Sequence, residues 1–126
     1  MVERSSVPKS HEGTWLWLYK MVAGGLIIIL LGVHFVVNHL VAPEGLLTYT
    51  DVLRYYTNPI VPIMEVFFLI IVISHALIGL RSIILDLNPN AKLLQTIDTV
   101  FIVAGVAFTI YGIWLVVVIV QRGMAL

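Results

Sequence analysis

Two histidines, His34 and His75, stand near the middle of long apolar stretches. An imidazole placed there is costly to desolvate, and it recovers that cost by hydrogen-bonding a neighbouring helix or by binding a metal through a ring nitrogen. One such histidine would suit the hydrogen bond equally well. Two, each near the centre of its own stretch, favour ligation. His39 differs, because five residues from His34 is about 140° around a helix and close to the end of the stretch, where a side chain touches water or a lipid head group. His11 precedes the first stretch and reads as solvated.

The second histidine opens the run His75-Ala76-Leu77-Ile78-Gly79-Leu80-Arg81-Ser82-Ile83-Ile84-Leu85-Asp86. At about 100° per residue, Gly79, Ser82 and Asp86 fall within about 40° of the His75 direction, so a helix would carry ligand, gap, hydroxyl and carboxylate on one stripe. A glycine one turn from a histidine lets a flat macrocycle approach the backbone; it equally serves close packing of two helices. Arg81 lies off the stripe, near where porphyrin propionates or lipid phosphates would sit. Asp86 is placed to meet a polar head group from the aqueous side.

The elements that must position these groups follow from composition. Of 126 residues, 60% are hydrophobic and 11% charged, which a soluble fold of this length could not bury. Seven Lys+Arg balance seven Asp+Glu, leaving no basic surplus for nucleic acid. With no cysteine, the chain itself offers no disulfide, iron–sulfur ligation or thiol catalysis. Between Lys20 and Glu44, and again between Asp98 and Arg122, 23 residues carry no formal charge. About 20 helical residues cross roughly 30 Å of hydrocarbon, so both gaps span. A third stretch holds Glu65 near its start and Arg81 near its end, where side chains can snorkel or pair.

The spacing predicts a single membrane domain over residues 1–126, with helices at roughly 17–41, 60–86 and 96–121. Trp15, Trp17 and Tyr19 suit the interface at the start of the first, which fades at Val41-Ala42-Pro43 and reads as retained rather than as a cleaved leader. Pro59 and Pro62 open the second, and Asn88-Pro89-Asn90 closes it as a turn. Between the first two, Thr50 to Tyr56 suits a short interfacial helix capped by Thr50 or Asp51. Arg4, Lys9, Lys20, Arg81 and Lys92 share one side against Arg54 and Arg122 on the other, which places the N-terminus in the cytoplasm. Offsets from the span centres put His34 and His75 roughly 7 Å apart along the membrane normal, at two depths.

The run from His75 to Asp86, a His-x-x-x-Gly-Leu-Arg pattern closed by Asp, resembles the second helix of the cytochrome b membrane-anchor subunits of succinate dehydrogenase. Tyr111-Gly112-Ile113-Trp114 in the third helix is similar to the smaller, D-type anchor. Trp17-Leu18 leading to Gly24, with His34 ten residues on, resembles helix one of the two-haem subgroup. The sequence departs from the family where Leu87 follows Asp86 in place of a frequent tyrosine, and where Met21 occupies the position of an arginine.

The resemblance implies an all-α protein whose three transmembrane helices pack with a second anchor subunit into a helical bundle. It implies two haem b groups, with His75 the axial ligand of the one nearer the cytoplasm and His34 that of the more distal one, and with Asp86 at the quinone site. Gly79, Arg81 and Ser82 would complete the cofactor contacts. Further implied are a flavoprotein subunit, an iron–sulfur subunit, membrane lipid and quinone as partners, no catalysis by the chain alone, and a bacterial or archaeal plasma membrane rather than a mitochondrial one. Fumarate reduction by a homologous complex fits the same pattern. A competing reading is a haem-free membrane scaffold or small transporter subunit, in which His34 and His75 only hydrogen-bond between helices.

Overall fold

The computed structural model describes residues 13–42 and 44–126; His11, Arg4, Lys9 and Pro43, on which parts of the reading above depend, lie outside the described residues. Helix α1 (Thr14–Val36) continues without a break into a π-helical turn (Val37–Val41). Helix α2 (Tyr49–Tyr55) is short, and α3 (Ile60–Asp86) and α4 (Ala91–Met124) are long. With its π turn α1 is long and apolar enough to cross a membrane, and so are α3 and α4. Among the described residues there is no strand.

Apolar side chains point outward all round. Ile28 is 73% exposed and Ile102 68%, whereas the buried apolar residues among those described are Ala23, Ala42, Leu53, Val61 and Ile71. A helix that is hydrophobic on every face belongs in lipid or against other helices, so this chain has no core of its own to speak of.

Helix α3 is the centre of the packing, with α1 against one side and α4 against another. The α3–α4 seam is set by two glycines of α4 lying opposite two leucines of α3. A Cβ at Gly105 would come within 2.9 Å of Leu77 Cδ1, and one at Gly112 would collide with Leu69. Each missing side chain is therefore a hole filled by a leucine, the close approach that small residues permit between membrane helices. Arg81 closes the seam, its Nε donating to Asp98 Oδ1 at 2.6 Å and its Nη2 to Asp98 Oδ2 at 3.0 Å.

The turn between α3 and α4 uses its two asparagines differently. Asn88 takes the left-handed conformation at φ 54°, which a short polar side chain tolerates, and Asn90 caps α4 by accepting from Leu93 N–H at 2.8 Å. We refer to this end of the molecule as the hairpin end.

At the opposite end α2 lies against the last turn of α4. A Cβ at Gly123 would stand 2.5 Å from the Leu53 carbonyl oxygen, so the two backbones meet where glycine leaves room. Arg122 Nη1 donates to the Tyr49 hydroxyl at 3.1 Å beside it.

Two expectations need correction here. The cap of α2 is Thr48, not Thr50 or Asp51. Thr48 Oγ1 accepts from Asp51 N–H at 3.3 Å while the Asp51 carboxylate accepts from Thr48 N–H at 2.9 Å, a reciprocal box that makes Asp51 the third helical residue. The Thr48 hydroxyl also donates to that carboxylate at 2.6 Å, and this bond, followed by the one from Thr48 N–H, holds the Asp51 carboxyl below the usual carboxylate range. Second, α1 and α4 outrun their charge-free segments, since α4 starts at Ala91 and ends at Met124 and α1 starts at Thr14. Freedom from charge marks the hydrocarbon, not the helix. Lys92, Gln95 and Thr96 continue α4 into the polar layer.

Candidate functional site

The facing sides of α1 and α3 form a polar ladder inside an otherwise apolar pair. At the hairpin end, Lys20 Nζ donates to Ser82 Oγ at 2.9 Å, and Ser82 in turn donates to the Ile78 carbonyl at 3.0 Å. The Tyr19 hydroxyl meets Ser74 Oγ, whose proton can also satisfy the Ile70 carbonyl at 2.7 Å. Deeper in, the His75 ring leans on Gly24, where an added Cβ would stand 3.4 Å from Cε1 and 3.9 Å from Nε2. Toward the other end, His34 Nδ1 faces Glu65 Oε1 at 3.9 Å.

These contacts fix the register of the two antiparallel helices. Gly24 is level with His75 and His34 with Glu65, so ten residues on each helix separate the two histidine levels. At 1.5 Å per residue that is about 15 Å along the helices. The sequence estimate of roughly 7 Å is therefore too small. It centred the first span on the charge-free segment between Lys20 and Glu44, which is offset from the helix that starts at Thr14.

The environments of the two histidines differ. His75 is half-buried, and its Nδ1 is a buried atom with no hydrogen-bond partner among the described residues. Leaving such a nitrogen unsatisfied costs roughly 1–3 kcal/mol, so the site favours a ligand or partner that engages the ring. His34 is 54% exposed at its side chain and has a carboxylate behind it. Among the described residues no cluster of three or more His, Cys, Asp or Glu could hold a metal, so each histidine stands as a single donor.

The rest of the His75 stripe is distributed as follows. Gly79 has nothing within 4 Å of where its Cβ would be, so it leaves open space one turn from His75 rather than serving a helix contact within the chain. Ser82 belongs to the α1–α3 ladder. Arg81 directs its guanidinium to Asp98 on α4. Asp86 is the last residue of α3 and is exposed, with exposed Leu87 after it.

The sequence carries little sign of three of these pairings. Asp98 reads as a span boundary, yet an antiparallel hairpin turning at 87–90 brings it level with Arg81. Glu65 reads as a residue that could snorkel or pair. Lys20 reads as a flank of the first span. Only the register of the folded helices assigns the partners.

A cavity of about 350 Å³ lies at the α2 end, bounded by α1, the π turn, α2 and α3, and lined by His34, Asn38, His39, Tyr56 and Glu65 among others. His39 thus shares a wall with His34, although an ideal α-helix would turn it about 140° away. The π turn, with its wider i→i+5 bonding, winds less per residue and so keeps His39 nearer that face. Its ring centroid lies 4.9 Å from that of Phe35. Burial, followed by the charge of Glu65, pushes the Tyr56 hydroxyl up to about 12, so it remains a proton-bearing donor at physiological pH.

With this geometry in hand, comparisons with known proteins agree on one group. A family model described as succinate dehydrogenase/fumarate reductase transmembrane subunit matches residues 1–112. The chain is 31% identical over 115 residues to the succinate dehydrogenase hydrophobic membrane anchor subunit of Archaeoglobus fulgidus, covering 91% of this chain and 97% of that one. It is 35% identical over 80 residues to the succinate dehydrogenase 2 membrane subunit SdhC of Mycobacterium tuberculosis, covering 62% and 57% respectively. No solved structure matches the chain.

Proposed function

The chain belongs to the family of succinate dehydrogenase and fumarate reductase transmembrane subunits, and from that premise we propose that it binds haem b and supports electron transfer to a membrane quinone. As a multi-pass membrane anchor it is a non-catalytic subunit of succinate dehydrogenase, and the dehydrogenase's flavoprotein and iron–sulfur subunits are its partners.

The observation that carries the haem reading is His75. Its imidazole is buried at Nδ1 without a partner, its ring occupies the space left by Gly24, and Gly79 keeps a clear face one turn away. Imidazole is a common protein ligand for haem iron, and a bound haem b would supply reversible one-electron storage. The residues that would hold such a group are His75 and His34, each through a ring nitrogen, with Gly79 leaving room one turn from His75.

Two haems are favoured over one by the register. Levels about 15 Å apart along the helices are too distant for both histidines to hold the same iron, so each would hold its own group together with a donor from elsewhere. A second anchor subunit supplies it in this reading. Ser82, held by Lys20, lies one to two turns toward the hairpin end from His75, where propionates would emerge, with Arg81 on the α4 side. Asp86 faces the aqueous layer beyond them, as a quinone head-group contact. The excess of Lys20, Arg81 and Lys92 at the hairpin end supports a cytoplasmic position for that end.

The test is haem b counted per purified complex for the parent, His34→Ala and His75→Ala, with redox titration of each. Two haems in the parent, a different one lost in each variant, is the expected result. A parent without the sharp reduced bands of a paired-histidine haem would overturn the reading. A single haem lost from both variants would overturn the two-level arrangement.

A further inference from the structure

We infer that Glu65 is a positioning residue for His34, fixing the ring's tautomer and aim so that Nε2, not Nδ1, is presented as the metal-binding nitrogen. The inference rests on the haem reading given above and adds to it a role for a carboxylate that the resemblance does not assign.

The starting point is the cost of Glu65. It is the sixth residue of a membrane-spanning helix, its side chain is 25% exposed, and an ionised carboxylate at such a place needs a partner. What faces it is the His34 ring, with Oε1 3.9 Å from Nδ1. That separation exceeds a made hydrogen bond, and a small side-chain rotation of either residue would close it.

Of the two ring nitrogens it is Nδ1 that lies toward the carboxylate. A neutral imidazole has one N–H and one lone pair, so a carboxylate acceptor at Nδ1 draws the proton there and leaves the lone pair on Nε2. Once closed to a hydrogen bond, the same contact would restrain rotation of the ring about its Cβ–Cγ bond. A ligating histidine whose other nitrogen donates to a carboxylate is also a stronger donor to its metal. That favours the ferric over the ferrous form and lowers the midpoint potential.

His75 supplies the internal contrast. Its Nδ1 is buried and has no partner among the described residues, so no carboxylate among them accepts from it. An effect of Glu65 should therefore be confined to the group bound at His34.

The experiment uses the assembled, haem-loaded complex with Glu65→Gln, Glu65→Leu and Glu65→Asp, alongside His34→Ala. Haem content is read first, then the midpoint potential of each haem, then the low-spin ferric EPR spectrum, whose highest g value follows ring orientation and donor strength. Glu65→Gln should retain both haems and raise the potential of the one that His34→Ala removes. A tenfold change in ferric over ferrous preference corresponds to about 59 mV for a one-electron couple. The EPR signal of that haem should move as well. Glu65→Asp should restore both readouts in part, and Glu65→Leu should exceed Gln.

A haem lost in His34→Ala but with potential and EPR spectrum unchanged in the Glu65 variants overturns the inference and leaves the haem reading standing. A potential shift without an EPR change, or equal shifts of both haems, also overturns it, because charge alone would then account for the result. If His34→Ala removes no haem, the inference falls together with the assignment of a haem to His34, and the haem reading at His75 stands.

Discussion

His75 and His34 were visible in the sequence because an ionisable ring in an apolar stretch is expensive wherever it is placed. Their partners were not. Gly24 is 51 residues from His75 and Glu65 is 31 from His34, separations that say nothing until two antiparallel helices are set in register. Once the register is known, the glycine that matters most to the His75 ring is Gly24 across the helix pair, while Gly79 on the same helix leaves open space. The substitution series at Gly24 follows from this. Alanine would put a Cβ 3.4 Å from His75 Cε1, which a ring shift of a few tenths of an ångström absorbs, so Gly24→Ala should retain nearly the parental haem content. Gly24→Leu should displace the ring and remove the His75 haem while leaving the His34 haem in place. Haem content by difference spectroscopy checks both, and an unchanged spectrum in Gly24→Leu would show that the ring does not need that space.

At the scale of elements, alternation of charge-free and charged segments revealed three spans and a short helix between the first two. It could not reveal how the elements begin or bend. The cap of α2 reads equally well two or three residues along, because Thr48, Thr50 and Asp51 are all acceptable caps and only the backbone decides among them. Thr48→Ala should cost α2 about 1 kcal/mol and speed amide hydrogen exchange over residues 49–55. Acid should mimic the substitution. The folded Asp51 carboxyl lies below its ordinary value of 3.8, so its contribution is present above that value and is lost as pH falls through the lower, folded one. Protection of the α2 amides, taken relative to the intrinsic exchange rate at each pH, should therefore fall in the parent at strongly acidic pH, with Thr48→Ala showing much less of this dependence. The π turn was illegible for a different reason, since nothing in Val37-Asn38-His39-Leu40-Val41 departs from ordinary helix-forming composition.

For the molecule as a whole, composition sufficed to assign it to the membrane, and the structure adds why it does not stand there alone. The described residues bury five apolar side chains, while Ile63, Ile83, Val103 and Phe108 and many others are exposed on all sides of the bundle. Lipid can cover such surfaces, but under the haem proposal it could not supply the second nitrogen that a group held by each histidine would take. The chain expressed without its partner subunits should give neither a stable haem-replete monomer nor sharp reduced haem bands. Recovery of such a monomer by size-exclusion chromatography with its spectrum intact would refute that dependence.

The ten-residue offset between the Gly24–His75 and His34–Glu65 levels also has an electrical meaning. About 15 Å is half of a hydrocarbon layer roughly 30 Å thick. A full crossing of one elementary charge is worth about 2.3 kcal/mol per 100 mV of membrane potential, so a half-crossing is worth about 1.1. With a redox centre at each level, the partition of an electron between the two would shift nearly tenfold for every 120 mV or so across the membrane. The spacing of these side chains would thus make the complex responsive to transmembrane voltage without any moving part.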